Sequence, residues 1–397
     1  MEEIPGLAKG QVRCFWWCAV LVHGMGGGRW SNPHPGAVFR SDSSPVPLRC
    51  PAVGLKPEDS AEQAAGGNDA AQAAQDGNNP TALLAGCFER ARPVLRALVA
   101  GVESGDSLVV ATDRKGFPVA QRVLRRPRDL PRALVIGRHN RCALSIPNDN
   151  RVSLRHVLLT AWPASGDTGP TRFRGYDLGG RAGVLLADGK RVPGFSFQGH
   201  GLISLGRTVV FVVPGSDEGV GLLDGTESEA FENLTGLNPS GKGVRLAAGA
   251  AAEPGVAHIG GDEPREFGGY RGLDMDARPQ PRGVLRLRST KPAGRGEEVR
   301  ELDLDSRQLQ RGLLIGRYSD RCSLAGHGRN LSRVHALVSE ESARSLLVYD
   351  LASTNGVRPS GMTEGPSHAV VRLTEDSPVM LGHFELAWVP NRGVKLH

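Results

Sequence analysis

The chain has 397 residues, of which 53 are Gly and 27 are Pro, while 39% are hydrophobic and only 5% aromatic. So many residues unsuited to helix interiors exclude a long coiled coil or helical bundle, and the thin apolar content favours two modest domains over one dense core. A formal charge of +6 admits an anionic ligand without demanding nucleic acid, for which no recognition motif is present.

In chain order, the longest apolar run is Cys14 to Val22. It is too short for the roughly 20 residues of a membrane helix, and no small-residue cleavage site follows it. Neither a membrane span nor secretion is expected. Residues 1–80 read as disordered and low in complexity, because Lys56 to Pro80 carry almost no large apolar side chain to offset chain entropy. Across 81–106, Leu83, Leu84, Phe88, Val94, Leu95 and Leu98 permit one amphipathic helix, interrupted at Pro93.

Residues 107–214 change texture. Short apolar runs at 107–111, 119–124, 133–136, 156–160, 183–186, 202–205 and 208–213 are punctuated by Gly, Pro, Asn and Asp, the pattern of an antiparallel sandwich. Residues 215–281 hold 14 Gly and 12 acidic against 5 basic residues and read as a flexible acidic linker. Strand texture resumes over 282–391, with Leu alternating with Arg at Val284-Leu285-Arg286-Leu287-Arg288. The six cysteines form no CxxC pair and no Cys/His set of metal-binding spacing. No metal or cofactor is expected, and reduced, inert thiols suit a cytoplasmic protein.

The two β regions are copies of each other. Leu134-Val135-Ile136-Gly137-Arg138 matches Leu313-Leu314-Ile315-Gly316-Arg317, and an Arg-Cys follows in each. The interval from Gly137 to His156 equals that from Gly316 to His335. Each copy then reaches a Tyr-Asp-Leu, at Tyr176 and at Tyr349. One intervening linker between two such copies means sister domains rather than a solenoid.

In the second copy the polar residues fall at loops. Arg317 ends one strand, Ser332-Arg333-Val334-His335 leads into the next, and Ser353-Thr354-Asn355-Gly356 follows Tyr349-Asp350-Leu351. Sandwich loops cluster at the ends of the fold, where distant segments meet. Two guanidiniums with hydroxyls and an amide make an anion site. No nucleophile sits with a base, so the chemistry is recognition rather than catalysis.

Gly316-Arg317, Ser332-Arg333-Val334-His335 and Ser353-Thr354-Asn355-Gly356 together resemble the forkhead-associated (FHA) domain family over about residues 282–391. The resemblance implies an all-β fold, an eleven-stranded sandwich that binds phosphothreonine peptides through loops at one end. Carried over residue by residue, it implies phosphopeptide contacts from Arg317, Ser332, Arg333, Thr354 and Asn355. Gly316, His335 and Gly356 would shape the loops. The first copy resembles the family less well. Gly137-Arg138, Ser153 and His156 are kept, but Leu154 stands where the family has Arg, and Gly179-Gly180-Arg181-Ala182-Gly183 lacks the Thr-Asn pair. Arg138, Ser153, Arg155 and Arg181 leave a weak anion site there, and a structural or partner-binding role is preferred.

The expected molecule is a non-enzymatic tandem adaptor that docks on threonine-phosphorylated proteins downstream of a Ser/Thr protein kinase. The alternative is a scaffold that binds partners without phosphate. Thr226, on the linker, is a candidate phosphothreonine that would occupy the second domain in cis. Gly236 to Lys242 has part of a phosphate-loop pattern, but Gly243 stands where a hydroxyl belongs and no strand precedes it.

Overall fold

The computed structural model describes residues 80–163, 169–236, 279–290, 298–362 and 367–391, together with the backbone of 271–272. The expectations for residues 1–79, including Cys14, Cys18 and Cys50, and for most of 237–281 lie outside these.

The first copy opens with a helix, α1 (Pro80–Val99), and continues with β1 (Ser107–Thr112), β2 (Pro118–Leu124) and β3 (Arg132–Gly137). Then come β4 (Leu144–Ser145), β5 (Val157–Trp162), β6 (Arg172–Asp177) and β7 (Val184–Leu185). It closes with β8 (Arg191–Val192), β9 (Gly194–Gln198), β10 (Gly201–Leu205) and β11 (Thr208–Pro214). Two short helices follow, α2 (Ser216–Leu222) and α3 (Glu227–Thr235), then β12 (Arg271–Gly272). The second copy begins with β13 (Pro281–Ser289), β14 (Val299–Asp305), α4 (Ser306–Arg311), β15 (Leu313–Gly316) and β16 (Leu324–Ala325). It ends with β17 (Ala336–Ser342), β18 (Ser345–Asp350), β19 (Val357–Pro359), β20 (Val370–Leu373), β21 (Val379–Leu381) and β22 (Phe384–Pro390).

These strands form two sandwiches. In the first, a sheet ordered β2-β1-β11-β10-β7-β8 faces one ordered β12-β9-β6-β5-β3-β4. In the second, β14-β13-β22-β21-β19 faces β16-β15-β17-β18-β20. Among the described residues the first copy has eleven strands, the number the resemblance implies. The second has ten among the described residues, and a single bridge from Val357 to His368 stands where the first copy pairs Val184 with Val192.

Side-chain alternation along each strand assigns the layers. Leu134 and Ile136 enter the first sandwich's core, and so do Val157 and Leu159. Val135 and Leu158, one residue out of step, enter a different cluster. That cluster joins the two sandwiches: Val135, Cys142, Leu158, Tyr176 and Leu178 pack with Leu337, Leu347, Tyr349 and Leu351. Tyr176 and Tyr349 are repeat equivalents, as are Leu158 and Leu337, so the same face of each copy meets the other. The two sandwiches therefore do not stand apart. On the far side of the first sandwich, Leu108, Val110, Val209, Phe211 and Val213 pack under α1 and α3. Among the described residues the layers run in the order helices, two sheets of the first copy, two sheets of the second.

This stacking explains the uninterrupted burial of β1, β11 and β5 up to Ala161. In the outermost sheet, open to water on one face, β13 alternates, with Leu285 and Leu287 buried and Arg286 and Arg288 exposed.

Two expectations are corrected. Residues 216–235, read as linker, form α2 and α3. Ala230, Phe231 and Leu234 are buried, and Phe231 packs on Phe88 with ring centroids 5.9 Å apart. Thr226 is not on a free tether: it is the N-cap of α3, in a capping box with Glu229. The helix α1 also runs on through Pro93 to Val99, because tertiary burial of Leu84, Phe88, Leu95 and Val99 outweighs one missing backbone donor.

Candidate functional site

The site is built from three turns at one end of the second sandwich. Gly316 ends β15, and a Cβ there would sit 2.3 Å from the Arg333 carbonyl oxygen. The absence of that Cβ lets the Arg317 loop lie against the Ser332–Arg333 loop, and the Arg317 N–H donates to the Ser332 carbonyl at 3.0 Å. Gly356 has φ +69° and a Cβ there would strike Ser367, so both backbone and space require glycine.

His335 is fully buried and ties two of the loops together. Its Nδ1 accepts the Ser332 N–H at 3.1 Å, which leaves Nε2–H to donate to the Gly356 carbonyl at 3.0 Å. Burial pushes its pKa below the ordinary histidine range. The third loop is pinned by the Ser332 hydroxyl, which accepts the Thr354 N–H at 3.0 Å. The Ser353 hydroxyl accepts the Gly356 N–H at 2.9 Å. Asn355 Nδ2 donates to the Asn330 carbonyl at 2.7 Å.

On this frame Arg317, Arg333 and Thr354 are exposed, Ser332 and Asn355 half-buried, and Gly316, His335 and Gly356 buried. The Ser332 hydroxyl oxygen is used as an acceptor, so its hydrogen remains free to donate outward. The structure thus brings Arg317, Ser332, Arg333 and Thr354 to one cleft of about 640 Å³. Asn355 lines a neighbouring hollow of about 290 Å³ with Gly356 and His383.

The first copy repeats the frame. The Ser153 N–H donates to His156 Nδ1 at 3.1 Å, and His156 Nε2 meets the Gly183 carbonyl at 3.1 Å. The Arg181 N–H donates to the Ser153 hydroxyl at 3.3 Å, as Thr354 does to Ser332. Arg138, Ser153, Arg155 and Arg181 line the same 640 Å³ cleft. Arg155 differs from the rest in being turned into the junction between the copies. It donates through Nε to the Leu351 carbonyl and through Nη2 to the Ala352 carbonyl at 2.8 Å, and burial lowers its pKa.

Sequence reasoning missed Arg151, Arg321 and Arg329, which line the cleft as well. A signal existed for two of them: each copy carries an Arg-Asn or Asn-Arg pair just before the motif serine, at Asn150-Arg151 and Arg329-Asn330. Eight arginines and no carboxylate therefore line the cleft. None of the eight forms an ion pair among the described residues. Unneutralised guanidiniums in a concave site focus a positive field on whatever enters.

No family model matches the chain and no curated protein matches it. Solved structures do align with parts of it. The FHA domain of the CT664 protein from Chlamydia trachomatis aligns at 23% identity over 27% of this chain and 96% of that one, with a TM-score of 0.22. Mycobacterium tuberculosis EmbR in complex with a low-affinity phosphopeptide aligns at 21% identity over 28% of this chain and 26% of that one, TM-score 0.21. A MEK1 FHA domain in complex with a HOP1 phosphothreonine peptide aligns at 19% identity over 27% of this chain and 96% of that one, TM-score 0.20. Each alignment spans one domain-sized portion and none speaks to the pairing of the two sandwiches.

Proposed function

We propose that the second sandwich is an FHA-type module that binds phosphothreonine peptides, and that the chain serves as a non-enzymatic adaptor downstream of a Ser/Thr protein kinase. A cytoplasmic location goes with that reading. The observation that carries it is the convergence of Arg317, Ser332, Arg333 and Thr354 on one cleft without carboxylates, from loops fixed by buried His335. A phosphate dianion makes charge-assisted hydrogen bonds with those groups that a neutral threonine hydroxyl does not. Asn355, beside the cleft, would meet the peptide backbone with its amide oxygen, while Nδ2 donates to the Asn330 carbonyl.

Each charge-assisted bond contributes about 1.5–3 kcal/mol. Arg317→Ala or Ser332→Ala is expected to weaken binding of a library-selected phosphothreonine peptide by at least about tenfold, with the thermal midpoint of the chain nearly unchanged for Arg317→Ala. Isothermal titration calorimetry on the full chain tests this. Unchanged affinity in Arg317→Ala, or equal affinity for the unphosphorylated peptide, overturns the reading in favour of a phosphate-independent scaffold.

A further inference from the structure

The first sandwich's site has lost the parts that hold a peptide and kept the parts that hold an anion. Ala182 stands at the position of Asn355, so the backbone-binding amide is gone. The frame survives intact: Ser153, His156, Gly183 and the Arg181 N–H make the same hydrogen bonds as Ser332, His335, Gly356 and the Thr354 N–H. At the position of Thr354 stands Arg181, which adds a positive charge and is exposed on the cleft. Arg138 keeps the place of Arg317 and is exposed as well.

The second observation is placement. The two sites are not on separate faces: Arg138, Arg151 and Arg181 of the first copy and Arg317, Arg329 and Arg333 of the second line one cleft. The junction that holds them together runs between the sites themselves. Arg155 donates to the carbonyls of Leu351 and Ala352, and Arg141 Nη1 donates to the Ser353 carbonyl at 3.4 Å. The loop that carries Thr354 is thereby fixed against the first copy's motif. A ligand that filled the cleft would meet both sets of arginines.

We infer that the cleft takes a single peptide segment bearing two phosphates, one held by Arg317, Ser332 and Arg333, the other by Arg138, Ser153 and Arg181. The second sandwich supplies the peptide grip, through Asn355, and the first supplies only a second anion grip. This rests on the phosphopeptide reading of the second site. A peptide is favoured over other polyanions because only one of the two sites has lost its backbone-holding amide. A second phosphate on the same segment binds at the high effective concentration that tethering gives, so a weak anion grip suffices.

The test uses the full chain and a library-selected phosphothreonine peptide, with a second phosphothreonine introduced at each position from two to ten residues on either side. At one or a few spacings the doubly phosphorylated peptide is expected to bind at least tenfold tighter than the singly phosphorylated one. That ratio is expected to fall to near one in Arg138→Ala/Arg181→Ala. A ratio near one at every spacing in the native chain, or a gain that persists in the double variant, overturns the inference while leaving the phosphopeptide reading standing. If no singly phosphorylated peptide binds, that reading fails, and the doubly phosphorylated set decides the cleft. Binding that requires Arg138 and Arg181 supports the shared site, and no binding overturns it.

Discussion

His335 and its repeat equivalent His156 are both fully buried, and each ring accepts a backbone N–H through Nδ1. A proton on that nitrogen would set two donors against each other. Burial pushes both pKa values down in the folded chain, whereas an unfolded histidine titrates near about 6.5. The unfolded state therefore binds protons first as pH falls. The histidine contribution to stability is complete above about 6.5 and declines as pH drops from there toward the depressed folded values. NMR of the ring resonances is expected to show both imidazoles titrating below the ordinary histidine value, with Nε2 carrying the proton of the neutral ring. Titration of either ring at the ordinary value would break the account of how the loops are held. The motif serine and histidine were readable in the sequence because their spacing repeats. Their division of labour was not, since it depends on which ring nitrogen faces which loop. The cysteines follow the same logic in reverse: Cys142 and Cys322 are pushed up to about 11 by burial, which agrees with inert thiols.

At the level of elements, the strands that sequence reasoning found are those rich in branched and aliphatic residues. Those it missed have physical reasons for poor patterning. In β6, Gly175 interrupts the run because a Cβ there would lie 2.0 Å from the Phe195 ring, so glycine makes room for an aromatic on β9. The helices α2 and α3 were hidden by the acidic, glycine-rich composition of the stretch after 214. Composition was averaged over 67 residues, while the helical signal, a capping box followed by Ala230, Phe231 and Leu234, occupies only a few. If 227–235 were linker, Phe231→Ala would cost nothing. Because Phe231 is buried against Phe88, the substitution is expected to destabilise the first sandwich by about 3–5 kcal/mol. Urea unfolding followed by circular dichroism measures this, and a midpoint equal to that of the native chain would return α3 to the linker.

Across residues 80–391 the decisive feature is the junction between the two sandwiches, which the sequence concealed in plain sight. The runs at 157–159 and 346–349 show no apolar–polar alternation, and every residue of 157–161 and 345–349 is buried, a pattern of strands covered on both faces. An isolated sandwich with one face in water would show alternation instead, as β13 does. Leu347 lies on the face that meets the first copy, while its neighbours Leu346 and Val348 point into the second sandwich's own core. Leu347→Asp therefore places a charge where it is tolerated only if the sandwiches part, because an unpaired buried carboxylate is costly. The second sandwich is expected to stay folded and to keep its affinity for a singly phosphorylated peptide. Small-angle scattering is expected to show an enlarged radius of gyration, and the gain from a second phosphate is expected to vanish. Arg155→Ala, which removes the ties to Leu351 and Ala352 but leaves the apolar junction, is expected to reduce that gain without separating the copies. A Leu347→Asp chain that kept both its dimensions and its preference for two phosphates would mean that the paired arrangement does not build the site.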